Sequence, residues 1–349
     1  MRFKKSIITA TTLIGIFLFA EIYLHIFKPS LVEFDQELGW KLKPNFDRVY
    51  TQKTQMGKEY SAHFKTNQYG FRTYGDNNEN SLKILVLGDS FTGDAFSNNE
   101  QAWFSVIAQK LEENEVHSPN SVVVWAGGSG GYGTLQELIL AKRIKKVFNP
   151  DALILQFCSN DFGDNHLQWQ SNTVLRQLYL RRPYMNTDGR IEFSQDLLAP
   201  LYRSFLFQNS RLINKFDSYV NFVEFMYHDG YQKKIDADLV KKYETESLKI
   251  TQLLLIELAN EFPRIPKIVV NCSADKEGPN AQWQNLAKKA GFIPISQPAE
   301  LIKKQLNNGE DLVHADGGHW NPMGNQLFGE TLYTELNNLG LMNDLASKR

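Results

Sequence analysis

Short apolar runs alternate along the chain with segments of helical periodicity, and this alternation constrains the fold more than any other feature. The runs cover residues 84–87, 122–125, 152–157 and 268–270, with a weaker one at 292–295. They are rich in Val, Ile and Leu and lack the polar alternation of a half-exposed strand, which predicts strands buried on both faces of a parallel sheet. Between them, residues 102–111, 135–147, 239–261, 281–290 and 325–336 carry apolar side chains at helical spacing. The pattern predicts an α/β fold: a three-layer α/β/α sandwich with a mainly parallel sheet and its ligand site at the carboxyl ends of the strands.

Three segments stand outside the pattern. In residues 1–29, Arg2, Lys4 and Lys5 precede an apolar stretch from Ser6 to Phe27, interrupted by Glu21 and His25. As a helix it is about 33 Å long, enough to cross a hydrocarbon core of about 30 Å. Leu18-Phe19-Ala20 is a poor small-residue cleavage site and apolar residues resume beyond Glu21, so the stretch reads as an uncleaved anchor, with a cleaved signal segment as the alternative. The basic residues ahead of it place the amino terminus in the cytoplasm. The first reading gives a membrane-anchored protein with its main domain periplasmic or extracellular, the second a secreted one.

Residues 30–81 are polar and aromatic with frequent turn residues, which predicts an N-terminal extension of hairpins or an extended flap. Residues 162–238 form the third outlier, because α/β connections usually take roughly 2 to 6 residues. Within the domain at 82–340, this stretch is an insertion with its own structure. Its aromatics, including Trp169, Tyr179, Tyr184, Phe205, Phe216, Tyr219 and Phe222, predict a helical subdomain, either beside the active site or as a packing appendage.

A hydrophobic fraction of 42% and a charged fraction of 22% are those of a globular protein, and a net charge of -1 gives no electrostatic reason to expect nucleic acid. The basic cluster at Lys142, Arg143, Lys145 and Lys146 reads as the solvated face of a helix. Two cysteines, Cys158 and Cys272, are too few for a disulfide framework and lack zinc or thiol-redox spacing, so the expectation is two small buried side chains. They sit near the ends of the third and fourth runs, so they can be neighbours, but a bond between them needs geometry.

The candidate chemistry gathers at the ends of those runs. Ser90, in Gly88-Asp89-Ser90, follows the first run where the chain must turn toward a helix, so its hydroxyl stands at the open end of the sheet. A serine hydroxyl is a weak nucleophile and needs a base held by a third group. Asp316 and His319 supply both as D-x-x-H, with Gly317 and Gly318 between them allowing the loop to curl. His314 is the alternative base, and a metal site of His314, Asp316 and His319 lacks other recognisable ligands. Gly127-Gly128-Ser129-Gly130-Gly131-Tyr132-Gly133 follows the second run and Cys158-Ser159-Asn160-Asp161 the third. Glycine N–H groups, the Asn160 amide and the Ser90 N–H are donors suited to an oxyanion hole. The glycine loop also fits G-x-G-x-x-G, but Asp151, at the right separation for a ribose partner, begins its strand instead of ending it.

With Gly88-Asp89-Ser90, the glycine loop, Asn160-Asp161 and Asp316-x-x-His319 in that order, residues 82–338 resemble the GDSL/SGNH hydrolase superfamily. The resemblance implies a flavodoxin-like sheet and a triad of Ser90, Asp316 and His319. It also implies an oxyanion hole from the Ser90 N–H, Asn160 and either Gly131, which directly precedes Tyr132-Gly133, or Gly130. The chain departs from the family pattern at Cys158, where the third block usually has Gly, at Trp125-Ala126, where a strand-ending Asn is common, and at Phe91 in place of the eponymous leucine. The anchor and flap resemble exported bacterial members.

The implied activity is serine ester hydrolysis without a cofactor, acting on O-acyl (acetyl) groups of a small molecule, carbohydrate or envelope glycan. The alternatives are an O-acyltransferase, working with a membrane acyltransferase partner, and an inactive glycan-binding or scaffold protein.

Overall fold

The computed structural model describes residues 2–93, 95–113, 121–173, 175–228 and 235–341. Helix α1 (Arg2–Phe27) leads into two antiparallel hairpins, β1 (Val32–Asp35) with β2 (Gly39–Leu42) and β3 (Asp47–Lys53) with β4 (Glu59–Lys65), followed by β5 (Arg72–Tyr74). The apolar runs then become β6 (Leu82–Gly88), β7 (Val122–Gly128), β8 (Ala152–Phe157), β11 (Lys267–Asn271) and β12 (Ile293–Ile295). The sheet order is β12-β11-β8-β6-β7-β5, in which the first five strands are parallel and β5 is antiparallel to β7. Counted from β6, the parallel strands run 2-1-3-4-5, the flavodoxin-like order, whose crossover point lies between β6 and β8.

Two helical layers cover the sheet. On one face α4 (Thr134–Ile144), α11 (Ala237–Glu261) and α12 (Trp283–Lys289) pack over Leu85, Leu87, Leu153, Leu155 and Val269. On the other, α3 (Trp103–Glu113), α13 (Gln297–Asn307) and α14 (Pro322–Asn338) pack over Ile84, Val86, Ile154, Ile268 and Val270. Neighbouring residues of one strand thus enter opposite cores, which is why the runs show no polar alternation.

The N-terminal extension forms two hairpins, as its turn residues predict, and also joins the main domain: β5 extends its sheet, Trp40 and Tyr132 pack at 5.8 Å, and Gln136 donates to the Leu38 carbonyl at 2.7 Å. Elsewhere the structure differs from expectation. The insertion is not purely helical. Besides the short helices α5 to α9 (Asp161–Asp164, Leu167–Gln170, Arg176–Tyr179, Ala199–Tyr202 and Phe205–Asn209) and the long α10 (Arg211–His228), it contains a hairpin of β9 (Pro183–Met185) with β10 (Ile191–Phe193). Helix α13 was not anticipated.

The cysteines are not separate thiols. Cys158, just after β8, and Cys272, just after β11, are joined in a disulfide with their Cα atoms 5.2 Å apart. Adjacent parallel strands bring the two ends together, and Cys272 N–H donates to the Phe157 carbonyl at 2.8 Å. The bond closes a loop spanning 114 positions. Replacing both cysteines by Ala is therefore expected to lower unfolding free energy by about 2–4 kcal/mol. Denaturant titration of the variant against the oxidised parent checks this; equal stabilities refute it.

Candidate active site

The turn that holds Ser90 is built by close backbone approach. Strand β6 ends at Gly88, and α2 (Ser90–Gly93) begins immediately beyond Asp89. A side chain on Gly128 would strike the Gly88 carbonyl oxygen, and one on Gly93 would strike the Gly128 carbonyl, so glycine lets the two loops touch. Asp89 is buried and accepts the Phe91 N–H at 3.0 Å, while its own N–H donates to Gln156 Oε1 at 3.2 Å. The turn therefore leaves Ser90 at the carboxyl edge of the sheet.

The loop before α14 is closed at both ends. Asn321 caps α14 by accepting the N–H groups of Met323 and Gly324, and Pro322 occupies the first turn, where no N–H is needed. The His314 N–H donates to the His319 carbonyl at 2.7 Å, and Gly317 turns the chain at φ 75°. Asp316 Oδ1 accepts from the N–H groups of Gly318 and His319 at 3.0 and 3.1 Å, and Oδ2 lies 2.7 Å from His319 Nδ1. His319 Nε2 in turn lies 2.7 Å from Ser90 Oγ. Burial acts to raise the Asp316 pKa, but these hydrogen bonds and the imidazole outweigh it and hold the carboxyl below its usual range. The ring is fixed on its faces as well, stacked on Phe96 at 4.5 Å and beside Phe91 at 4.9 Å.

His314, the alternative base, points elsewhere. Its Nε2 lies 3.1 Å from Gln52 Oε1, and its Nδ1 accepts the Asp316 N–H at 3.2 Å. Among the described residues no group of three His, Cys, Asp or Glu side chains converges as metal ligands. Asp151 accepts the Lys83 N–H at the opposite end of the sheet, away from the glycine loop.

Of the candidate oxyanion donors, Gly131 adopts φ 76°, and its carbonyl accepts from Arg182 Nη2. The Gly130 carbonyl accepts from Trp40 Nε1 at 3.2 Å. The N–H groups of Ser90 and Gly131 have no acceptor among the described residues. Asn160 Nδ2 donates to Asp164 Oδ2 at 2.8 Å and lies 3.5 Å from Asp89 Oδ2.

Several contributors carry no local sequence signal. Arg182, in the insertion, is fully buried, bonds Asp164 at 2.6 Å and lies over the Trp40 ring. Trp40 and Gln52 come from the two hairpins of the extension. Asp164 does carry a local signal, since it lies one helical turn beyond Asn160.

Behind Asn160 the acids Asp89, Glu137, Asp161 and Asp164 are all buried. Both Glu137 oxygens and Asp161 Oδ1 lack a hydrogen-bond partner among the described residues. Desolvation first, and repulsion from the neighbouring carboxyls second, push Glu137 and Asp161 well above the carboxylate range. Folded pKa values above the unfolded ones mean that the folded state holds extra protons. Their stability contribution is full below about pH 4 and is lost as pH rises through the folded values, at up to about 1.4 kcal/mol per pH unit per group. Glu137→Gln is expected to flatten this decline. Chemical denaturation from pH 5 to 9 measures the slope, and an unchanged slope refutes the assignment.

The profile of the GDSL-like Lipase/Acylhydrolase family matches residues 84–332. No curated protein gives a significant match to the chain. Among solved structures, the chain is similar to a family 3 carbohydrate esterase from Clostridium thermocellum (12% identity, covering 76% of this chain and 99% of that one, TM-score 0.40). It is also similar to a lipase/acylhydrolase from Enterococcus faecalis (14%, 74% and 96%, TM-score 0.39) and to a psychrotrophic esterase from Pseudoalteromonas sp. (10%, 74% and 98%, TM-score 0.40). The family match covers most of the chain and includes every loop of the site. The chain belongs to the GDSL-like lipase/acylhydrolase family and is a serine esterase of that family.

Proposed function

We propose that Ser90, His319 and Asp316 form the catalytic triad of an exported, membrane-anchored esterase that removes O-acyl groups, acetyl foremost, from an envelope carbohydrate. The observation that carries the triad is the unbroken hydrogen-bond chain from Ser90 Oγ through His319 to Asp316, each link 2.7 Å.

In this mechanism His319 Nε2 takes the Ser90 proton as Oγ attacks the ester carbonyl carbon. The developing oxyanion is held by the N–H groups of Ser90 and Gly131 and by the Asn160 amide. The left-handed backbone of Gly131 and its unclaimed N–H support it over Gly130. Collapse breaks the ester C–O bond, and the leaving alkoxide takes the proton from His319, leaving acyl-Ser90. Water then gives a proton to His319 and attacks the acyl carbon, and Ser90 departs with that proton as the carboxylic acid forms.

Asn160 and Asp316 are exposed, so the site opens to solvent, which supports a substrate with a bulky part outside the pocket. Support for an uncleaved anchor comes from Glu21, whose carboxylate accepts the Ser210 hydroxyl and the Arg211 and Leu212 N–H groups at the start of α10. Cleavage before α10 docks would leave those donors without this acceptor.

A fluorophosphonate probe is expected to label the full-length chain, but neither Ser90→Ala nor His319→Ala. Labelling that survives Ser90→Ala overturns the nucleophile. Faster release of long acyl chains than of acetate from acetylated oligosaccharides overturns the substrate class.

A further inference from the structure

Helix α10 is inside out for a helix on a water-soluble domain. Its inward face is mostly polar: Asp217 and Asn221 are buried, Asn221 donates to Asp217 at 3.3 Å, Tyr202 donates to Asp217 at 2.5 Å, and Ile213 packs on the apolar core of the insertion. Its outward face carries Phe216, Tyr219, Phe222, Val223, Met226 and Tyr227, all exposed, Tyr227 at 84%. At 3.6 residues per turn these six fall within an arc of about 140°. The segment before α10 adds Leu197 at 96% exposure and Phe205 at 82%. Such contiguous apolar surface on an otherwise soluble domain marks a contact surface.

Its position indicates what covers it. Glu21, within the apolar Ser6–Phe27 stretch, accepts hydrogen bonds from the first turn of α10, and the Arg211 guanidinium donates to the Lys28 carbonyl at 2.5 Å. Helix α1 is partly buried at Phe17, Ala20, Glu21 and Leu24, a single stripe at helical spacing, and is otherwise exposed wherever its side chains are described. The start of α10 is therefore fixed near the outer end of the span.

Beside this junction lies a cavity of about 340 Å³. His25, Lys43, Arg181, Arg211 and Lys215 line it, with Glu33 as the acid present. The buried Nε atoms of Arg181 and Arg211 lack partners among the described residues, and burial pushes the Arg181 pKa down to about 10. Desolvated guanidinium groups facing one cavity suit a phosphate.

We infer that α10 and the segment before it lie in the surface of the bilayer that holds α1, with the apolar face among the acyl chains and the cationic cavity taking the phosphate of an anionic lipid. This rests on α1 being a membrane anchor. The apolar arc, the cationic flank and the joint to a spanning helix are together what an interfacial helix requires.

The test uses the full-length chain in nanodiscs of phosphatidylcholine and phosphatidylglycerol. Nitroxides are placed at Phe222→Cys, at Ile14→Cys within α1 and at Lys288→Cys on α12; the native cysteines, being bonded, do not react. Expected is preferential collision with oxygen at positions 14 and 222, and with a water-soluble nickel chelate at 288. An aqueous signal at 222 with a buried signal at 14 overturns the docking and leaves the anchor intact; aqueous signals at both overturn both. Spin–spin broadening at 222 shows that a second copy covers the face and also overturns the docking. For the cavity, Lys215→Gln should lower the preference for spin-labelled phosphatidylglycerol over phosphatidylcholine about fivefold. An unchanged preference overturns the headgroup contact.

Discussion

Ser90→Ala is expected to lower kcat/KM for ester hydrolysis by about 10⁴- to 10⁶-fold, and adding His319→Ala should cost almost nothing further. The reason is geometric: His319 Nε2 has Ser90 Oγ as its partner, so without the hydroxyl the base has no proton to move. Asp316→Asn should be the mildest of the three single substitutions, because Nδ1 then loses its carboxylate while the ring stays stacked on Phe96. Steady-state rates for the single and double variants, with thermal melts to confirm folding, make the comparison. Additive losses from Ser90→Ala and His319→Ala would mean that the two side chains act separately, contrary to the proposed mechanism.

The second large effect lies outside the triad. Arg182→Met is expected to destabilise the protein by about 3–5 kcal/mol, since it leaves the buried Asp164 carboxylate without its countercharge. It should also slow turnover in whatever fraction stays folded, because Arg182 holds the Gly131 carbonyl and, through Asp164, the Asn160 amide. Asp164→Asn combined with Arg182→Met should recover much of the lost stability but not the rate. Denaturation and rate measurements on the two variants separate the effects; full recovery of the rate would rule out a positioning role for Arg182.

The parts of this arrangement that were legible in the sequence are those carried by neighbouring residues. Buried parallel strands have no solvent face, so 84–87 and 152–157 read directly as β6 and β8. Turn glycines and the D-x-x-H spacing exposed the loops that hold Ser90, Asp316 and His319 because the required chain reversals are local. Helix α13 was readable and passed over: Ala299, Ile302 and Leu306 stand at helical spacing behind Pro298, although the segment as a whole is polar. The helices of four or five residues in the insertion are too short for any periodicity to register. Arg182 meets Gly131 across 51 positions and Trp40 meets Gly130 across 90, contacts that exist only once the sheet has formed. The nearness of Cys158 and Cys272 was legible from their places at the ends of the third and fourth runs, but the bond between them depends on geometry that only the formed sheet supplies.

The connection between α1 and β1 has little slack. Residues 28–31 are the whole link, and Lys28, Ser30 and Leu31 are each held by a hydrogen bond, to Arg211, Val32 and Lys43 respectively. Trp40, in the hairpin that follows directly, touches the glycine loop. If α1 spans a bilayer, as proposed, a stiff joint sets the height of Ser90 above the membrane, and the domain then searches a thin shell by lateral diffusion. Esters on polymers extending beyond that shell must be brought down to it. A cut in this link would leave α10 as the domain's hold on the membrane, deprived of the Glu21 carboxylate that accepts from its first turn.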